Sequence, residues 1–304
     1  MGLRINALLI VATANLFIAC NPLNKFQSPT PNEVKAALSS YLPLNAVAPD
    51  DPALFDDSIN ADKTYCPKLS EPYWLIPSLD LPKEVKPQKS NNNVSICIFN
   101  NRLYVAFRTG STHFASKKTG MYIISSADGA TWKKEMEFFI GRDFREPFLI
   151  LIAGKLHFYC FGAGTKMTAF EPDFISHYYS TGDGIWAGPE NVLDKGEVHW
   201  SLLNRNGTTY MTSYKGSHYN LKGESNVSLF FKQTTNGTDF YPVSDSARVY
   251  LGGVSETAFE FDKNGNIWAV TRLEDGDKTG FGSQVVFADK NDLKNWQFPE
   301  TADP

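Results

Sequence analysis

An all-β fold made of a repeated four-stranded unit is predicted for this 304-residue chain by three observations. From residue 92 onward, short runs of aromatic and β-branched residues alternate with Gly, Asn and Asp, the pattern of strands joined by tight turns. The runs recur as four hairpins, over residues 94–107, 148–159, 200–211 and 258–269. Their turns at Asn101, Gly154, Gly207 and Gly265 are 53, 53 and 58 residues apart. A second turn signal follows each hairpin, at Ser126–Trp132, Thr181–Trp186, Thr234–Phe240 and Asp292–Trp296. Two hairpins per repeat make four strands, and a four-stranded blade has about this length. The expectation is therefore a β-propeller of four visible blades, either complete or part of a five- or six-bladed ring.

The second turn has a local logic. Asp or Asn accepts backbone N–H bonds across the turn, Gly takes a positive φ, and the aromatic packs the turn on its own blade. Ser126, Asp128, Gly129 and Trp132 resemble a shortened Asp-box, Ser-x-Asp-x-Gly-x-x-Trp, and the other three copies are degenerate forms of it. The chain thus resembles the sialidase-like (Asp-box, or BNR-repeat) propellers.

The N-terminus reads as an export signal: Arg4 is the positive start, and Leu8–Ile18 is an apolar stretch too short to span a bilayer. Leu16-Phe17-Ile18-Ala19-Cys20 resembles the bacterial lipobox, which implies cleavage before Cys20 and lipid attachment to it, with Phe17 as a departure. The alternative is an ordinary signal cleaved near Ala19. Residues 1–20 are thus expected to be a lipoprotein-type signal and 21–91 a tether ending in a packing strand near Tyr73-Trp74-Leu75-Ile76. Residues 92–304 form the propeller, in an exported protein anchored to a bacterial membrane through Cys20.

Charge and cysteines narrow the partners. The 29 basic and 33 acidic residues are well mixed, so no basic face for nucleic acid is expected. Cys66, Cys97 and Cys160 have no metal-like spacing and allow at most one disulfide, and Cys97 and Cys160 lie in strand-like runs as expected buried thiols. No metal or cofactor is implied, and a monomer is expected.

Strand alternation puts both kinds of tight turn on one side of the propeller. The longer loops 109–120, 162–176, 215–226 and 273–283 lie on the other, together with any site. Aligning the hairpins places Arg108, Phe161, Tyr214 and Arg272 at equivalent ends of the second strand, and Arg108 and Arg272 would suit a substrate carboxylate. Glu256 opens the fourth repeat, sixteen residues before Arg272. This spacing resembles the sialidase segment in which a glutamate activates a tyrosine nucleophile and an arginine binds the substrate carboxylate. The resemblance implies those roles for Glu256 and Arg272, and for Arg108 the place of the first carboxylate-binding arginine. It supplies no counterpart for the third arginine or the tyrosine nucleophile. Residues 109–127 contain no Asp or Glu where that family keeps its acid, leaving His113 as the only conventional acid in the loop.

Arg145-Glu146-Pro147 opens the second repeat on the same rim, where Glu146 and Glu256 would suit a glycosidase with a paired acid and base. Arg145 and Tyr214 complete the expected substrate contacts. Three functions follow: a sialidase-like hydrolase of terminal acidic sugars, a five-bladed furanosidase-type glycosidase, or a non-catalytic propeller that binds carbohydrate or protein. The expected partner is a glycan or glycoconjugate, with a protein as the alternative only for the non-catalytic propeller.

Overall fold

The computed structural model describes residues 74–167, 170–182, 184–217, 226–275 and 282–298. Cys20, Cys66 and Tyr73 lie outside them. The described residues contain no helix and form four antiparallel sheets arranged as a four-bladed β-propeller. Blade 1 comprises β1 (Ser90–Phe99), β2 (Arg102–Gly110), β3 (Gly120–Ser126) and β4 (Trp132–Phe138). Blade 2 comprises β5 (Asp143–Ile152), β6 (Lys155–Gly164), β7 (Ile175–Ser180) and β8 (Trp186–Val192). In blade 3, β9 (Val198–Arg205), β10 (Thr208–Ser217) and β11 (Asn226–Thr234) are edged by two short strands, β12 (Tyr241–Pro242) and β13 (Arg248–Gly252). Both edge strands pair with β11. Blade 4 has three strands, β14 (Val254–Phe261), β15 (Ile267–Leu273) and β16 (Ser283–Ala288). Its expected fourth strand is reduced to a single bridge between Phe287 and Gln297.

The first strand of each blade is innermost, with β1 against β5, β5 against β9 and β9 against β14. Apolar side chains fill the spaces between successive blades. Tyr104, Ala106, Met121 and Ile123 of blade 1 pack on Leu149, Phe158 and Cys160 of blade 2. Ile150, Tyr159 and Phe161 pack on Leu202, Met211 and Val227 of blade 3. Leu229 and Phe231 pack on Phe259, Ile267 and Val286 of blade 4. Cys160 is buried and Cys97 half-buried, both as free thiols.

The turns behave as their chemistry requires. Ser126 Oγ accepts the N–H groups of Asp128 and Gly129, while Asp128 Oδ1 accepts those of Ala130 and Thr131 at 3.0 and 2.7 Å. Gly129 has φ 71°, and Trp132 is buried against blade 1. The third copy repeats this with Thr234 and Asn236: Asn236 Oδ1 accepts Thr238 N–H and Asp239 N–H, and Gly237 has φ 84°. Upstream of β1, Leu75 and Ile76 lie in irregular chain rather than in the expected strand, and with Leu81 and Val85 they pack on Val105, Phe107, Tyr122 and Trp132.

Candidate active site

Each innermost strand is bulged where it nears the irregular-loop rim. The ladder skips Asn93 in β1, Glu146 and Pro147 in β5, Trp200 in β9, and Ser255 and Glu256 in β14. A bulge turns a side chain out of the pleat and is a recurrent device beside active sites. Here it aims Glu146 and Glu256, from non-adjacent blades, toward the same rim. Asn93 and Glu146 both hold left-handed backbone, with φ 47° and 48°, a conformation that costs free energy in a non-glycine residue.

The contacts of Glu146 explain its chemistry. Asn93 Nδ2 donates to Glu146 Oε1 at 2.7 Å, and His199 Nε2 lies 2.7 Å from the Glu146 carbonyl oxygen, so both the carboxyl and the backbone are held. Burial drives the Glu146 pKa up to about 7, and the Asn93 donor opposes it. The charge of Glu256 adds to the rise, while Arg145 and Arg108 oppose it. Glu146 therefore holds its proton well above the ordinary carboxylate range, up to about pH 7. Glu256 is also raised by burial, opposed by Arg272, whose Nη1 donates to Glu256 Oε1 at 2.9 Å. Arg272 also lies 3.6 Å from Glu274 Oε1, and Glu274 accepts from Ser255 Oγ. The pairing of Glu256 with Arg272 follows the hairpin geometry read from the sequence.

The other expected site residues fall differently. Arg108 is fully buried, donating to both oxygens of Asp143 at 2.7 and 3.0 Å, to Asn92 Oδ1, and to the carbonyls of His113 and Phe114. Its donors are thus turned inward onto the protein, a correction to the expectation that Arg108 and Arg272 form an anion fork. Arg145 does not pair with Glu146 through a hydrogen bond; its Nε donates to Asp143 Oδ2 at 2.8 Å and its Nη2 to the His113 carbonyl. Tyr214 is 3% exposed in the core between blades 2 and 3, so it offers no surface to a substrate. His113 is exposed, with Nδ1 3.3 Å from Asn92 Nδ2. Burial and then the charges of Arg145 and Arg108 lower its pKa, opposed by the charge of Asp143.

Sequence reasoning missed Asp143, Asn93 and His199. Asp143 is the buried anion that organises Arg108 and Arg145, and its signal was the alternation Asp143-Phe144-Arg145 on one strand face. Asn93 closes the run Asn91-Asn92-Asn93, the residue type that most readily accepts left-handed backbone. Nothing local marked His199. Among the described residues no group of three or more His, Cys, Asp or Glu side chains is arranged to hold a metal.

No family model matches the sequence, and no curated protein does either. Solved structures do resemble the fold. A family 117 glycoside hydrolase of Zobellia galactanivorans is 17% identical, with a TM-score of 0.45 over 69% of this chain and 68% of that one. A thermostable family 43 glycoside hydrolase is 11% identical (TM-score 0.46, 72% and 75%). The α-L-arabinanase of Cellvibrio cellulosa, solved with arabinohexaose, is 10% identical (0.44, 67% and 76%). These three are glycoside hydrolases, and none of them is a sialidase. At such identities and scores, the assignment of the site rests on its own geometry.

Proposed function

We propose that this protein is a glycoside hydrolase in which Glu146 is the general acid and Glu256 the general base. The observation that carries the reading is Glu146: a half-buried carboxyl in left-handed backbone whose pKa is raised to about 7, within electrostatic reach of a second carboxyl, Glu256 of blade 4. Two carboxyl groups held in different environments are what glycosidic cleavage needs. Glu146 gives its proton to the glycosidic oxygen as the bond to the anomeric carbon breaks, so the departing sugar leaves as a neutral alcohol. Glu256, held by the Arg272 donor, takes a proton from water as the water oxygen attacks that carbon. Solvent then returns a proton to Glu146 and removes one from Glu256.

Between the expected enzymes, the engagement of Arg108 with Asp143 favours the paired-carboxylate, furanosidase-type glycosidase over the sialidase-like one, whose carboxylate-binding arginines need free donors. The test is turnover of a panel of aryl furanosides, aryl pyranosides and a fluorogenic sialoside. Hydrolysis of a neutral glycoside, reduced about 10²–10⁴-fold in both Glu146→Gln and Glu256→Gln, supports the proposal. Glycan binding with no turnover of any of them makes the protein a lectin. Sialoside turnover that survives in Glu146→Gln restores the sialidase reading. The membrane anchor at Cys20 belongs to the same proposal, since a glycan-processing enzyme on a tether works at the cell surface. Cys20→Ser is expected to move the protein from the membrane to the soluble fraction.

A further inference from the structure

The two partners of Glu146 are its own counterparts in the neighbouring repeats. Asn93, Glu146 and His199 stand 53 residues apart along the chain, each on the innermost strand of its blade. The repeat therefore brings one position of three successive blades into contact. Asn93 reaches the Glu146 carboxyl and His199 the Glu146 carbonyl, both at 2.7 Å. The second contact falls where the backbone is strained. Glu146 has φ 48° and is followed by Pro147, and a proline pushes the residue before it toward extended backbone. A non-glycine residue stays left-handed in such a place only where its surroundings hold it. Glu146 and Pro147 also have no partner residue in the ladder with β6, so the Glu146 carbonyl draws its donor from another blade.

We infer that His199 is the positioning residue of Glu146: its Nε2–H holds the Glu146 carbonyl, and with it the left-handed bulge that turns the carboxyl to the rim of the site. The inference rests on the reading of Glu146 as the acid. His199 is fully buried, so it acts through Glu146 and not on a substrate. A carbonyl only accepts, so Nε2 carries the ring proton, and Nδ1, buried without a hydrogen-bond partner, keeps its lone pair. The ring lies edge-on to Phe161 and tilted against Tyr159 of blade 2, with centroids 6.3 and 6.2 Å away. An imidazolium would bring a second N–H to a place that offers no acceptor. Burial accordingly pushes the His199 pKa down to about 4, opposed by the bond to the Glu146 carbonyl. The ring is thus neutral over the range in which Glu146 titrates, and its hold is the same whether Glu146 carries a proton or not. The charges that bear on Glu146, those of Glu256, Arg145 and Arg108, are left in place by a change at His199, so the Glu146 titration reports where its carboxyl lies.

The test titrates the Glu146 carboxyl by ¹³C NMR in the parent, His199→Phe and His199→Gln, with thermal unfolding as the check that each is folded. Phe keeps a ring against Tyr159 and Phe161 but lacks the donor, whereas Gln loses the ring and puts an N–H close to where Nε2 stood. The expected result is a midpoint that falls from about 7 toward the ordinary range near 4–5 in His199→Phe and returns toward the parent value in His199→Gln. A midpoint unchanged in His199→Phe would overturn the inference. So would a lowered midpoint that Gln fails to restore, because ring packing alone would then account for the effect. In the parent, long-range ¹H–¹⁵N spectra are expected to show His199 as the neutral Nε2–H tautomer between about pH 5 and pH 8. An Nδ1–H tautomer or an imidazolium in that range would overturn the inference even if neither variant folds. None of these measurements needs a substrate, so their failure and the failure of the glycosidase reading in the turnover panel are separate results.

Discussion

Glu146 joins a costly backbone to a costly protonation state, and each has a measurable consequence. Its pKa is higher in the folded protein than in the unfolded chain, so folding takes up a proton between the ordinary carboxylate range and about 7. Stability from this group is therefore full below that range and is lost as pH rises through about 7. Glu146→Gln, which cannot ionise, is expected to gain about 1–2 kcal/mol relative to the parent on going from pH 5 to pH 8, a figure discounted for partial exposure. Denaturant unfolding at the two pH values checks it, and an unchanged difference would mean an ordinary carboxylate. Arg108 makes the opposite case. Removing it in Arg108→Ala leaves Asp143 buried with one cationic partner fewer, so a loss of about 3–5 kcal/mol is expected in thermal or denaturant unfolding. A variant that keeps its stability but loses substrate binding would return Arg108 to the substrate site. The sequence located Arg108 at a rim position, but which way its guanidinium points depends on Asp143, 35 residues away in the chain, and no local pattern carries that.

Turns and bulges divide the elements into legible and illegible parts. The Asp128 and Asn236 turns were readable because every bond in them lies within a few residues. Burial raises the Asp128 pKa, but the N–H groups of Thr131 and Ala130 and the hydroxyls of Ser126 and Thr131 outweigh this and bring it down to about 2. The turn thus contributes stability that is present above the ordinary carboxylate range and lost as pH falls toward 2. Trp132 anchors the same turn at 7% exposure, and Trp132→Ala is expected to cost about 3–5 kcal/mol without changing glycan binding by what remains folded. Thermal unfolding beside a binding isotherm checks both parts. The four bulges were not readable, because register is a property of two strands. Glu146-Pro147 and Ser255-Glu256 looked like ordinary strand starts until the ladder showed each of them skipped.

The whole molecule follows from the repeat, since hairpins spaced by 53, 53 and 58 residues leave room for one four-stranded blade each. The repeat did not foresee the erosion of blade 4 to three strands or the split edge of blade 3, because edge strands carry little apolar pattern of their own. What the ring adds is long-range: it brings blade 2 and blade 4 close enough for the Glu256 charge to bear on Glu146. That coupling is the centre of the account, and titration of the Glu146 side-chain carboxyl by ¹³C NMR, in the parent and in Glu256→Gln, measures it most directly. The account predicts a midpoint near 7 in the parent, shifted lower when the Glu256 charge is removed. A midpoint in the ordinary range near 4–5, or one indifferent to Glu256→Gln, would contradict it.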